Sequence, residues 1–193
     1  IGTCEKGQMD VELSMKSKGG HTSAPPPKTP VAALCRAVTQ LEKHPFPAAL
    51  TPAAAEMFDT LGRHSTFAMR LIFANLWCFL PLLKLICTKS GGEMNALMRT
   101  TCCFTMMEGS RAANAIPTEA HMTANLRLSP RDTMEAAEAY LRRTIGDADV
   151  SLRRIQGTDP SPISPTGTPE WERLRAAVRE TWPEAIVSPY MMV

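Results

Sequence analysis

The sequence lacks an excess of charge of either sign: its 193 residues carry 21 Lys and Arg against 19 Asp and Glu, a formal net charge of +2. Without a basic run there is no electrostatic footprint for a polyanion, and nucleic acid is excluded as a partner. It also lacks any CxxC pair or zinc-finger spacing, although it has six cysteines: Cys4, Cys35, Cys78, Cys87, Cys102 and Cys103. Vicinal Cys102 and Cys103 would point to opposite faces of a strand, which makes them poor disulfide partners. The thiols therefore read as mostly free and buried, as in a reducing compartment such as the cytoplasm. No HxD, HExxH, GxSxG, P-loop or GxGxxG is present, and the four histidines (His21, His44, His64, His121) lie in separate segments. Judged alone, the chain carries no legible metal centre or nucleophile. It begins at Ile1 with no charged n-region or cleavage site, so no signal peptide is legible and an excised piece of a longer protein is expected.

Long hydrophobic runs are nearly absent. The exception, residues 71–87, is interrupted by Asn75, Pro81 and Lys84 and falls short of the ~20 apolar residues that a spanning helix needs. Three readings of it stand: a packed helical insertion, an interfacial or acyl-chain-binding hairpin, and, least, a membrane span. No membrane partner is expected.

What is present is periodicity. The composition, 44% hydrophobic and 21% charged, can bury a core and argues against disorder. Residues 9–18 alternate, with Met9, Val11, Leu13 and Met15 on one side and Asp10, Glu12, Ser14 and Lys16 on the other, a half-buried strand. A Gly- and Pro-rich turn (19–27) follows. Thr29–Pro30 then opens a helix with Val31, Leu34, Val38 and Leu41 on its apolar stripe, ending near His44–Pro45. A second strand is predicted over 98–107, with Met98, Thr100, Cys102, Phe104 and Met106 on one face, and a third over 120–128. Asp132 with Glu135 reads as a capping box opening a helix that Gly146 ends. A weaker fourth strand covers 150–157.

The order strand–helix–strand–strand–helix–strand is the split βαβ, or ferredoxin-like, arrangement: an α+β fold with a four-stranded antiparallel sheet and two helices on one face. The other face is bare and open to a partner. Residues 46–97 are too long for a plain loop and are expected to be a helical insertion within a domain spanning 1–157. A Pro/Ser/Thr linker (158–169) precedes a helix capped by Thr168–Pro169 and a buried strand over 185–193. Residues 170–193 thus read as the start of a second domain.

One constellation could carry chemistry. His21 follows Gly19–Gly20 in a turn, Asn114 precedes the third strand, and Arg127 lies on that strand's polar face. An imidazole, an amide and a guanidinium can hold a carboxylate or stabilise a developing oxyanion. Each residue also has a bland reading: a loop hydrogen-bonder, a turn former and a solvated surface arginine. Spacing alone does not make them a site.

The segments around them do resemble a known family. IGTCEKGQMDVELSMKSKGGHTSAPP, with Gly20-His21-Thr22-Ser23 before Pro25 to Pro27, resembles the opening of the lid, or dimerisation, domain of the zinc metallopeptidases that include carboxypeptidase S, aminoacylase and acetylornithine deacetylase. Asn114-Ala115-Ile116-Pro117-Thr118-Glu119-Ala120 through Asn125-Leu126-Arg127-Leu128 resembles its second lid signature. NLWCFLPLL (75–83) and the stretch around 98–117 are similar to the carboxypeptidase S branch, which includes N-fatty-acyl-amino-acid hydrolases. Residues 163–193 resemble that branch's return into its catalytic domain. The resemblance implies a homodimer formed through the lid and a peptide or N-acyl amino acid substrate. It implies that His21 acts catalytically across the dimer by stabilising the tetrahedral intermediate, and that Asn114 and Arg127 bind the substrate carboxylate. It also implies two zinc ions in the full-length parent, with ligands outside these residues, so the fragment alone is expected to be inactive. Ala115 in place of the commoner Val, and Cys102–Cys103 and Met106–Met107–Glu108 in place of smaller or basic residues, depart from the pattern. The alternative reading is a non-enzymatic ferredoxin-like ligand-binding or dimerisation module.

Overall fold

The computed structural model describes residues 1–193. The chain begins with β1 (Gly2–Glu5), β2 (Gly7–Lys16), β3 (Gly20–His21) and α1 (Pro30–Lys43). Four helices follow: α2 (Pro52–Arg63), α3 (Phe67–Ala74), α4 (Leu76–Ser90) and α5 (Gly92–Met98). The second half runs β4 (Thr101–Glu108), β5 (Ala115–Ile116), β6 (Glu119–Leu128), α6 (Met134–Ile145), β7 (Ser151–Thr158), α7 (Pro169–Thr181) and β8 (Tyr190–Met192).

The alternation in β2 does what its period demands. Met9, Val11 and Leu13 are fully buried and pair with Leu126, Ala124 and Met122 of β6, so the apolar sides of two ten-residue strands coincide. The sheet order is β4-β6-β2-β7, with every neighbouring pair antiparallel. Helices α1 and α6 cover one face: Ala33, Leu34, Ala37 and Leu41 from the first and Ala137, Leu141 and Ile145 from the second join the sheet in one core. Phe46 stacks on Tyr140 at 4.4 Å, and the Tyr140 hydroxyl donates to the carbonyls of His44 and Pro45. That contact fixes the exit from α1.

Several sequence expectations change in detail. The capping box is not formed: Thr133 is the N-cap of α6 and accepts from the Ala136 N–H, while Asp132 accepts from Thr100 and Glu135 pairs with Arg154. Thr29 holds the N-cap position of α1 without a side-chain cap bond, whereas Thr51 and Thr168 cap α2 and α7 as their Thr-Pro pairs predict. Met98 is the buried last residue of α5, not part of β4. A bulge between Phe104 and Met106 breaks the alternation of β4. Phe104 lies opposite Ala124 on the helix side, but Met106 lies opposite Thr123 on the bare face. A bulge adds one residue and so reverses every later side chain.

A second core lies outside the four-stranded sheet. Strand β1, which lies before the first strand expected from the sequence, pairs in parallel with β8. Cys4 and Met191 from that pair pack with Met57, Phe58, Leu83, Cys87 and Met98 of the helical segment. The expected strand over 185–193 is thus only three residues long, and the Pro/Ser/Thr stretch before α7 is docked: Ser161 and Ser164 N–H groups donate to the carbonyls of Glu5 and Thr3.

The vicinal thiols separate as the pleat requires. Cys102 packs toward the helices, and burial pushes its thiol up to about 12, with the nearby Cys103 and Glu42 acting in the same direction. Cys103 is exposed. The thiolate is the reactive species, so titration at pH 8 with an aromatic disulfide reagent is expected to lose a fast-reacting equivalent in Cys103→Ser and none in Cys102→Ser. Equal losses would mean that β4 is paired in another register.

Candidate functional site

The site is built on the smallest ladder in the molecule. After β2, Gly19 (φ 67°) and Gly20 (φ 144°) adopt backbone angles that side chains rarely tolerate. The turn is braced where Ser17 Oγ donates to the Pro117 carbonyl at 2.8 Å and accepts from the Gly19 N–H at 2.9 Å. This delivers β3 antiparallel to β5, with Gly20 opposite Ile116 and His21 opposite Ala115. The next residue closes the tip: both the N–H and the hydroxyl of Thr22 donate to the Asn114 carbonyl, at 3.2 and 3.3 Å. His21 and Asn114, 93 positions apart in sequence, therefore stand side by side at an exposed tip.

The ring of His21 is oriented. Its Nδ1 accepts from the Ser23 N–H at 3.2 Å and lies 2.9 Å from Ser23 Oγ. A backbone N–H can only donate, so Nδ1 is the acceptor and the neutral ring carries its proton on Nε2. An Nε2–H is a donor suited to a carboxylate or an oxyanion, and the exposed Asn114 carries a second, amide donor at the same tip. Ser23 is the member the sequence reading quoted without a role, since an oriented ring needs a fold before it can be seen.

Arg127 stands elsewhere. It lies near the far end of β6 on the bare face, opposite Gln8 and Thr101. Eight residue steps separate it from Glu119, at the end nearer β5, about 26 Å at the usual strand rise. One chain does not bring Arg127 to His21 and Asn114. Around Arg127 the bare face is polar: the Asp10 carboxylate accepts from Asn125 at 2.6 Å and Gln156 at 2.7 Å, and these bonds, with a smaller contribution from the Arg127 charge, hold it below the usual carboxylate range.

Two of the remaining histidines have local partners. His44 Nδ1 lies 2.9 Å from the Gln40 carbonyl, and His121 sits between Glu12 at 3.5 Å and Glu119 at 3.7 Å. Nowhere do three His, Cys, Asp or Glu side chains converge as a metal site would need. A zinc ion has no ligand set among these residues.

Comparison with known proteins agrees with this architecture. A family model described as a peptidase dimerisation domain matches residues 3–153. The chain is 32% identical over its full length to "Probable carboxypeptidase S-like 2" of Dictyostelium discoideum, covering 37% of that protein. It is 35% identical over 86% of its length to "N-fatty-acyl-amino acid synthase/hydrolase PM20D1" of Xenopus tropicalis, covering 32% of that protein. The chain thus spans about a third of the length of these relatives. Among solved structures, the M20 family metallo-carboxypeptidase Sso-CP2 from Sulfolobus solfataricus superposes with a TM-score of 0.62 at 15% identity, over 100% of this chain and 52% of that one. Human carnosine dipeptidase 1 does so at 0.56 and 13%, over 100% and 44%.

Proposed function

The chain belongs to the peptidase dimerisation-domain family, and on that premise we propose that it is the lid of a zinc-dependent amidohydrolase acting on N-acyl amino acids or peptides. The strand order with α1 and α6 as crossovers is read as the split βαβ arrangement expected from the sequence. The observation that carries the reading is the β3–β5 ladder, which sets His21 and Asn114 together at an exposed tip with an Nε2–H free to donate. In this reading His21 reaches the active site of the other protomer and stabilises the oxyanion of the tetrahedral intermediate. Asn114 and Arg127 hold the substrate carboxylate. The distance between Arg127 and the tip supports a composite site, with the tip coming from one protomer and Arg127 from its partner.

Dimerisation uses the free edge of β4. Residues 101–107 of that strand carry no charge, and Met106 and Met107 are exposed. The opposite edge, β7, holds Arg153 and Arg154, the sort of charge that protects an edge from pairing. In this reading zinc and the water it would activate are supplied by parts of a longer protein, and the fragment alone is inactive.

The test is the full-length protein, assayed for hydrolysis of N-acyl amino acids and dipeptides before and after chelation, with its mass in solution measured in parallel. A dimer whose hydrolysis falls at least tenfold on chelation and returns with zinc is the expected result. A dimer that binds such ligands and hydrolyses none of them favours the non-enzymatic module.

A further inference from the structure

The helical segment between α1 and β4 has an apolar surface that the fold does not use. Helix α4 is apolar nearly all round. Leu76, Leu80, Leu83 and Cys87 recur at helical spacing and face the second core, while Leu82, Leu85 and Ile86 form a second stripe exposed to solvent. A helix of this composition is normally enclosed on every side. No residue of helix α3 is fully buried, and it is held to the second core mainly by Phe73, stacked on Phe58 at 5.3 Å. The two helices meet at a 109° bend, and the most exposed large apolar side chains of the chain lie on this pair: Phe67 at 80%, at the start of α3, and Trp77 at 83%, just past the bend. A contiguous apolar surface of this kind marks an interaction site.

Charge identifies the occupant. The hairpin, residues 67–90, contains Arg70, Lys84 and Lys89 and no Asp or Glu, whereas Arg63 just before it is paired with Asp59. The rest of the chain is therefore net negative by one, with the positive charge gathered where the apolar surface is. Arms of 8 and 15 residues are about 12 and 22 Å long at the helical rise, too short to cross a hydrocarbon core of about 30 Å. Apolar and aromatic groups outward, basic groups interspersed and no length to span are the features of a helix pair lying in a bilayer interface. We propose that the α3–α4 hairpin docks this protein onto an anionic lipid surface, with Phe67 and Trp77 entering the headgroup boundary and the basic residues contacting acidic lipid. No single helix here is long and apolar enough to cross a membrane, which leaves a surface contact open.

The test is flotation of the full-length protein with vesicles of phosphatidylcholine alone or with 30% phosphatidylserine. Binding is expected to the mixed vesicles at low salt, weaker at high salt, and at least tenfold weaker to phosphatidylcholine alone. Phe67→Ser/Trp77→Ser is expected to lower binding at least tenfold with an unchanged circular dichroism melt, since both side chains are exposed. Arg70→Glu/Lys89→Glu is expected to remove the dependence on phosphatidylserine. No flotation with the mixed vesicles, or equal flotation of the Phe67/Trp77 variant, overturns the proposal. So does a variant that changes the mass in solution or the acyl-chain preference of hydrolysis while vesicle binding is absent. That outcome would assign the face to a second protomer or to the substrate chain. The proposal does not depend on the hydrolase reading, because flotation is read without activity.

Discussion

Removing the His21 imidazole is expected to lower kcat of the full-length enzyme by about 10²–10³-fold, the usual loss when one oxyanion donor is deleted, while the dimer persists. The expectation rests on a ring whose Nδ1 is occupied by Ser23, leaving Nε2–H as the only donor it can present. It also rests on exposure: His21 supports no core, so His21→Ala should leave the melting temperature unchanged. Ser23→Ala keeps the backbone N–H that orients the ring and is expected to cost only several-fold in kcat. Mixing two inactive variants tests the composite site. In a heterodimer of His21→Ala and Arg127→Ala, one site receives His21 from one chain and Arg127 from the other. Statistical exchange of the symmetric dimer should therefore restore about a quarter of wild-type activity. No recovery on mixing would mean that one chain supplies both groups to the same site, against the separation of about 26 Å along β6. Loss of the dimer in His21→Ala would make the residue structural.

Much of the sheet was legible because its strands are half-buried and their period is two. Met9 to Met15 and Ala120 to Leu128 alternate without exception, and both sets face the helices. What escaped was whatever depends on contacts distant in sequence. β1 is four residues with no alternation to display, and it becomes a strand only because β8, nearly the whole chain away, pairs with it. The bulge in β4 has no signature in TCCFTMME, and it sends Met106 to the face opposite the predicted one. The capping box failed because Thr133, one residue on, took the cap while Asp132 was drawn to Thr100. For the site, the motif residues located the tip, but only the fold reveals that His21 and Asn114 adjoin while Arg127 is remote.

Lys6 is the residue whose importance the sequence hides most completely, and it carries the second large expectation. It sits between Glu5 and Gly7 with nothing to mark it, yet it is buried where the two cores meet. Its N–H donates to the Met192 carbonyl, extending the β1–β8 pair, while its ammonium donates to the carbonyls of Ala96 at 3.0 Å and Arg99 at 2.8 Å, at the end of α5. Gly7 beside it cannot move away, because even a Cβ there would meet the Thr158 carbonyl at 2.6 Å. Burial, with the Arg127 charge adding and Asp132 opposing, brings the Lys6 ammonium down from 10.5 to about 8. The folded state therefore holds this proton more weakly than the unfolded chain does. Its penalty is full below pH 8 and is relieved as pH rises from about 8 toward 10.5. Relative to Lys6→Met, which has no proton to lose, the wild type should gain up to about 3 kcal/mol of unfolding free energy across that window. The comparison must be made with the variant, because the half-buried Cys102 thiol shifts the other way and lowers the stability of both proteins at alkaline pH. Urea melts of both proteins at pH 7, 8.5 and 10 would measure the difference. A constant gap between them would mean that Lys6 is solvated, and that the junction between the cores is held by Gly7 and the strands alone.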